Sequence, residues 1–184
     1  MQRHPSLDDR FDPAIRIVEY DADWAARGAA EMTRIADALR DGAVRVDHIG
    51  STAVPGLAAK PIIDLQLSVA SIEAIEAYRE SLERLGYLFV PDAEFPDRQF
   101  FARPAERPRT HHVHVVEAGS HDERRHLAVR DYLRARPDEV AEYEALKRRL
   151  VAEHPRDRLS YIGGKQSFIA GLEKRALAWA GSST

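Results

Sequence analysis

The residues best suited to chemistry begin in a small-residue turn within the segment DHIGSTAVPGLAAKPIIDLQ, which runs from position 47 to position 66. Gly50 lets backbone N–H groups approach an anion closely, and the hydroxyls of Ser51 and Thr52 add further donors, so the turn can cradle a phosphate. Lys60 follows in the next loop, where its ammonium could contact the same phosphate or form a surface charge. The three turn residues also suit an ordinary loop, because the segment has neither the Walker spacing nor the dinucleotide-binding glycine pattern.

An acidic residue follows on an apolar strand. Period-2 alternation between residues 61 and 69 separates a core face from a second face that carries Asp64, Gln66 and Ser68. Packing on one side of such a strand would give the carboxylate of Asp64 the rigid placement that a metal site requires. Asp64 can equally be a half-exposed strand residue, although Asp has a low strand propensity.

Histidines on a later strand extend this possibility. His112 and His114 share one face by the same alternation, and with Asp64 they would form a two-histidine, one-carboxylate set. Such a set suits Mn²⁺, Fe²⁺ or Zn²⁺ better than Mg²⁺. A solvated or hydrogen-bonded pair of histidines is the structural alternative. His48 has the strand parity of Gly50, so it lies at the mouth of the same cleft or packs as a hydrogen-bonded histidine.

Hydrophobic patterning predicts the elements that would position these residues. Strands are predicted at 15–20, 43–49, 61–69, 87–90, 99–103 and 111–117, with the loop PDAEFPD between the fourth and fifth. Helices are predicted after the capping residues Asp21 and Ser71, ending near Gly42 and Gly86. In the last third, a capping box at 120–123 opens two helices that break at Pro137, and a final helix starts late because of two glycines at 163–164.

The elements together predict an α/β fold, with a mixed sheet flanked by helices and followed by a helical C-terminal segment. A chain of 184 residues can bury a sizeable core. We therefore predict a single domain over residues 1–184, in which residues 1–14 are flexible and residues 120–180 form the helical segment packed on the sheet.

Composition narrows the function classes. The 27 Lys and Arg against 30 Asp and Glu give a net charge of −3, so no broad basic face for duplex nucleic acid is expected. No apolar run approaches the roughly eighteen residues of a membrane span, and no secretion signal is recognisable, so no membrane partner and a cytoplasmic location are expected. The absence of cysteine leaves His, Asp, Glu or Gln as metal ligands. Composition does not predict the oligomeric state.

Four motifs in this order resemble the GrpB family, which belongs to the nucleotidyltransferase superfamily related to the polymerase beta palm: HIGSTAVPGLAAKPIID, RTHHVHV, RHLAVRDYLRARP and YIGGKQSFI. The resemblance implies a Gly-Ser signature, an acid-x-acid strand and a third acid, which bind two divalent cations around a nucleoside triphosphate. Gly50 and Ser51 match the signature, and Asp64 matches the first acid. Gln66 stands in place of the second carboxylate. A lysine from the helical segment, here Lys165, is implied to hold the triphosphate.

The resulting hypothesis is a nucleotidyltransferase-like protein that binds a nucleotide or another phosphorylated small molecule and transfers a nucleotidyl group to an acceptor. Its alternatives are a nucleotide-binding or regulatory domain without transfer activity and a His/Asp metal-dependent hydrolase. Mg²⁺ or Mn²⁺ is the expected ion, with Zn²⁺ or Fe²⁺ as alternatives. The assigned roles are catalysis for Asp64 and Lys60, phosphate binding for Gly50, Ser51, Thr52, Lys165 and His48, and metal binding for Asp64, Gln66, His112 and His114. Within the third motif, Arg130 is predicted to clamp a helix to the sheet.

Overall fold

A five-stranded mixed sheet forms the centre of the molecule, which a computed structural model describes for residues 14–91, 98–104 and 108–182. The strands are β1 (Arg45–Ile49), β2 (Ile63–Val69), β3 (Leu88–Phe89), β4 (Arg98–Arg103) and β5 (His111–Glu117). The helices are α1 (Asp23–Leu39), α2 (Glu76–Arg84), α3 (His121–Ala135), α4 (Pro137–Glu153), α5 (Arg158–Gly163) and α6 (Gln166–Ser182). The α/β fold class predicted from the sequence is confirmed.

The sheet has the strand order β1-β2-β5-β4-β3. β2 runs antiparallel to β1 and parallel to β5, while β4 is antiparallel to both β5 and β3. The parallel register aligns Asp64 with His112 and Gln66 with His114. Since side chains in register on neighbouring strands point to the same face, this one pairing brings the predicted acid and histidines together.

Helices cover the two faces of the sheet with different partners. The apolar face of β2 and β5 packs against α1 and α2 around the buried side chains of Trp24, Ile35, Tyr78 and Leu82. A second apolar cluster lies within the helical segment, where α3, α4 and α6 bury Leu133, Tyr143, Leu172 and neighbours. The polar face of β2 meets this segment, because Ser68 hydrogen bonds to Glu123 of α3 at 2.6 Å.

Several helix boundaries follow the sequence signals. The Ser120 hydroxyl accepts a hydrogen bond from Glu123 N at 3.1 Å and caps α3. Pro137 begins α4, where a missing N–H costs nothing. The final helix is delayed as expected: α5 ends at Gly163 and α6 begins at Gln166.

Other boundaries were wrong. The strand predicted at 15–20 is a single bridge between Val18 and Ala59. Ser71 does not cap α2, which begins five residues later at Glu76. The Tyr78 hydroxyl of α2 donates to the carbonyl of Ile72 at 2.7 Å, which bonds the helix to the turn that precedes it. Residues 1–13 and most of the loop at 91–97 lie outside the described residues.

None of the described helices is both apolar enough and long enough to cross a bilayer.

Candidate functional site

Gly50 directly follows β1 and begins the turn at one wall of the site. Its φ of 71° is a left-handed conformation that disfavours L side chains. A Cβ atom at this position would also lie 2.8 Å from Asp64 Oδ2. Both the backbone conformation and the space therefore require glycine, and the turn is pressed directly against the Asp64 carboxylate.

Asp64, His112 and His114 meet at the end of β2 and β5 that faces this turn. His112 Nδ1 lies 2.9 Å from Asp64 Oδ1, and His114 Nε2 lies 3.8 Å from the same oxygen. One donor atom from each of the three residues lies within 4.8 Å of the others. Two donors bound to one ion at about 2.1 Å are roughly 3 to 3.5 Å apart, so this set fits a divalent metal ion with small adjustments.

The protonation states also fit metal binding. Burial opposes ionisation of Asp64, but its interactions with His112 and His114 hold the pKa of the carboxyl well below its ordinary value. Burial lowers the pKa of His112 to about 4 despite the neighbouring carboxylate. The pair is therefore an ionised carboxylate and a neutral imidazole at neutral pH, which are the forms that bind metals.

Each histidine also keeps one buried ring nitrogen, His112 Nε2 or His114 Nδ1, without a hydrogen-bond partner among the described residues. An unpaired buried polar atom costs about 1 to 3 kcal/mol, and such costs are typical of functional sites.

Gln66 is fully buried, two residues beyond Asp64 on the same strand face. Its Oε1 lies 2.8 Å from Nδ1 of His126, which α3 contributes, and its Nε2 has no partner within the described parts of the chain. Burial lowers the pKa of His126 to about 3. Gln66 thus contacts a third imidazole that the sequence analysis missed, and its own role as a metal ligand stays a prediction.

Three lysines line the opposite side of the site. Lys60 Nζ and Lys165 Nζ lie 5.4 Å and 4.4 Å from the centroid of the Tyr161 ring. Burial, followed by the charge of Lys60, lowers the pKa of Lys165 to about 8. The structure therefore brings both predicted lysines to one cavity, on a shared aromatic support.

Lys147 of α4 is the third lysine and was missed from the sequence. It is 2% exposed, and its ammonium donates to Ser51 Oγ at 3.3 Å and to the carbonyl of Ala58. Burial and then the charge of Lys165 lower the pKa of Lys147 to about 7. A detectable signal existed, because Lys147 lies one helical turn from Tyr143 and Leu150 and so on the buried stripe of α4.

Two of the predicted phosphate ligands, His48 and Thr52, are hydrogen bonded within the protein. His48 is buried behind the turn, where its Nε2 lies 3.0 Å from Thr52 Oγ1. The Thr52 hydroxyl donates to the carbonyl of Ile62 at 3.0 Å, so its hydrogen is already used. His48 must then donate to Thr52, and the two residues connect the turn to the start of β2. The role of His48 and Thr52 in phosphate binding stays a prediction.

Arg130 clamps α3 to β1, as predicted, through its contacts with Asp47 Oδ1 and His48 O at 3.3 Å each.

A cavity of about 270 Å³ joins these groups. Its walls include Gly50, Ser51, Asp64, His112 and His114 on the sheet side, and Lys147, Tyr161 and Lys165 on the helix side. Among the described residues, five Lys or Arg side chains line it against two carboxylates, those of Asp64 and Glu173. Its two arginines, Arg125 and Arg130, are paired with Glu173 and Asp47, so the three lysines carry the excess charge. The cavity therefore combines a metal-type donor set with an excess of positive charge.

Comparisons with known proteins agree with one another. Residues 14–175 match the family model described as GrpB protein. The UPF0157 protein YqkA of Bacillus subtilis is 38% identical to this chain, and the match covers 90% of this chain. The UPF0157 protein SCO7215 of Streptomyces coelicolor is 42% identical, and that match covers 88% of this chain and 84% of the Streptomyces protein. The chain spans 48% of the Bacillus protein. The crystal structure of GrpB from Enterococcus faecalis superposes with a TM-score of 0.81 at 35% identity, covering 90% of this chain and 99% of that one.

Proposed function

Because this chain belongs to the GrpB protein family, and because its cavity joins a metal-type donor set to a group of lysines, we propose that it binds a phosphorylated small molecule, foremost a nucleotide, together with a divalent metal ion. One observation carries the proposal. A Cβ atom on Gly50 would lie 2.8 Å from Asp64 Oδ2, and Lys147 donates to Ser51 Oγ at 3.3 Å, so the carboxylate and the ammonium lie beside adjacent residues of the same turn. A phosphate at this turn would therefore lie close to both a metal ion on Asp64 and the ammonium of Lys147.

The residues that would hold the ion are Asp64, His112 and His114. A divalent ion there supplies Lewis-acid polarisation of a phosphoryl oxygen when bound. The protein's own contribution is the fixed position of the three donors, which follows from the β2–β5 register and from packing behind both strands. Because Gly50 has no side chain, the Asp64 carboxylate has room beside the turn.

The residues that would hold the phosphates are Lys147, Lys165, Lys60 and the backbone amides of the turn. Lys147 is the most informative, because a buried ammonium is costly unless an anion compensates it. Its observed acceptors, the Ser51 hydroxyl and the Ala58 carbonyl, are neutral. A phosphate in the cavity would provide the missing negative charge, and the protein would bind it with charge-assisted hydrogen bonds.

Nucleotidyl transfer is the reaction that the resemblance to nucleotidyltransferases favours. In it, an acceptor oxygen forms a bond to the α-phosphorus, the bond to the β-phosphate oxygen breaks, and pyrophosphate and the acceptor's proton are released. Lys147 and Lys165 would stabilise the charge that develops on the leaving pyrophosphate. Hydrolysis is the second candidate, which the combination of two histidines with a single carboxylate favours, since such sets also activate water in metal hydrolases.

Calorimetric titration of the metal-stripped protein tests the binding proposal, with ATP, CTP, GTP and UTP each in the presence of Mg²⁺ or Mn²⁺. We expect at least one nucleotide to bind, and Lys147→Met and Lys165→Met each to weaken it by about tenfold or more, the effect of losing one charged hydrogen bond. Lys174→Met is the matched control, because Lys174 is exposed on α6. Neither heat nor a thermal shift with any of the four nucleotides would contradict the proposal.

Product analysis separates the two reactions. Pyrophosphate release that requires a pool of acceptors supports transfer, whereas orthophosphate or pyrophosphate release in water alone supports hydrolysis. Asp64→Asn keeps the shape of the side chain and removes its charge, so it should abolish either reaction while the protein stays folded. Binding without any turnover would leave this protein as a nucleotide-binding domain.

A further inference from the structure

Gln66, two residues beyond Asp64 on β2, decides how many metal ions the site can hold. Gln66 is on the same strand face as Asp64 and in register with His114, so it borders the donor set directly. A second ion beside the first would need negative ligands here, because divalent ions a few ångströms apart repel one another strongly unless carboxylates bridge them.

Gln66 cannot supply that charge. Its amide is neutral, and its Oε1 already lies at hydrogen-bond distance from His126 Nδ1. The Nε2 group, which carries hydrogens, is buried without a partner in the described segments. If the amide were turned around, one neutral oxygen would replace the NH₂ group, and the position would still carry no charge.

The rest of the cavity opposes a second ion as well. Asp64 is the one carboxylate of the donor set, and the other carboxylate that lines the cavity among the described residues, Glu173, is paired with Arg125. Lys147 and Lys165 face the same space from the helices. One divalent ion therefore already exceeds the negative charge that the protein provides, and any further cation would have to be balanced by the bound anion itself.

We propose, building on the metal-dependent function above, that the site holds one divalent ion of the imidazole-binding type, and that the Gln66–His126 pair occupies the place where a second ion would need a carboxylate. The ion is bound by Asp64, His112 and His114. Because imidazole nitrogen is a poor ligand for Mg²⁺, the site selects Mn²⁺, Co²⁺ or Zn²⁺ over Mg²⁺. The polyanionic ligand then supplies the remaining negative charge.

Metal titration without nucleotide tests this inference independently of activity. Metal-stripped protein is titrated with Mn²⁺, Zn²⁺ and Mg²⁺ by calorimetry, and bound metal is counted by elemental analysis. We expect one ion per chain and an affinity for Mn²⁺ at least about tenfold above that for Mg²⁺. Electron spin echo spectra of the Mn²⁺ form should show nitrogen coupling that His112→Ala or His114→Ala reduces. His121→Ala, at an exposed histidine that begins α3, is the control and should leave the coupling unchanged.

Gln66→Glu provides the complementary test, because it replaces the amide with a carboxylate of nearly the same shape. If the proposal is correct, this variant gains a second Mn²⁺ per chain or raises the affinity for Mg²⁺ at least about tenfold. If it does not fold, the wild-type stoichiometry still decides. Two ions per wild-type chain, or one ion without nitrogen coupling, would overturn the single-ion inference while the proposed function survives. No bound ion of any kind would overturn both the single-ion inference and the metal part of the proposed function, whereas nucleotide binding is decided separately by the titration with the four nucleotides.

Discussion

Replacing Lys147 with methionine should stabilise the ligand-free protein at low pH and progressively less as the pH rises. The substitution keeps most of the side-chain length and removes an ammonium that is 2% exposed and bonded to neutral acceptors. In the folded wild type, burial lowers the pKa of Lys147 from 10.5 to about 7. Below pH 7 the folded protein therefore bears the full cost of a buried charge, which methionine does not have.

The magnitude follows from proton linkage. Between pH 7 and pH 10.5 the unfolded chain holds a proton at Lys147 that the folded chain has released, so wild-type stability increases relative to the variant as the pH rises. The increase is about 1.4 kcal/mol for each pH unit, or roughly 2 to 3 kcal/mol between pH 7 and pH 9. Hydrogen bonds lost at Ser51 and Ala58 shift the variant by a constant amount at every pH, so they cancel from this difference.

Urea denaturation of the wild type and Lys147→Met at pH 6, 7, 8 and 9 measures the effect. The free-energy difference between the two proteins should be constant from pH 6 to pH 7 and then change steadily in favour of the wild type. Lys174→Met, at an exposed position, should give a difference that does not depend on pH. A Lys147→Met difference that is equally flat from pH 7 to pH 9 would refute the reasoning, because it would mean that the buried lysine keeps its proton.

Three further predictions concern the turn, its support and the phosphate side. Gly50→Ala should lower the free energy of unfolding by about 1 to 3 kcal/mol and weaken metal binding, measured by urea denaturation and calorimetry, because the new Cβ would meet Asp64 Oδ2 at 2.8 Å with φ at 71°. Gly28→Ala should lower the melting temperature, because the new Cβ would lie 2.3 Å from Nδ1 of the His48 ring. Alanine favours helices more than glycine does, so a rise in melting temperature would contradict this packing. ATP affinity, measured by calorimetry, should fall from pH 7 to pH 9 as Lys165, with a pKa of about 8, loses its proton, and Lys165→Met should make this fall shallower.

The sheet and its polar face could be read from local patterns. The alternation of apolar and polar residues along β2 and β5 correctly placed Asp64 and His112 on the face opposite the apolar core. This alternation can be read from each strand alone, because successive side chains of a strand point to opposite faces. The sequence did not reveal that these strands pair in parallel, since pairing depends on contacts between distant segments. The meeting of the acid with the histidines was therefore a hypothesis until the register was known.

The unpredicted parts of the site depend on tertiary contacts. The spacing of Lys147 from Tyr143 and Leu150 indicates the buried face of α4, but it does not show that the ammonium reaches the Ser51 hydroxyl. His48 bonds to Thr52, whose hydroxyl donates to the carbonyl of Ile62, and the sequence did not reveal these contacts. Gln66 lies on the predicted polar face of β2, but the sequence did not reveal that α3 covers it with His126.

The parallel pairing of β2 with β5 also links the site to the order in which the chain folds. Everything from α2 to β4 lies between these two strands in sequence, so the loop that must close before Asp64 meets His112 is long. Long-range pairings of this kind carry a large closure entropy and form slowly. The donor set consequently does not exist in any early, locally folded intermediate. An ion bound by the folded protein would stabilise the β2–β5 pairing, so it would slow amide hydrogen exchange along β2 and β5 more than along β3 at the edge of the sheet.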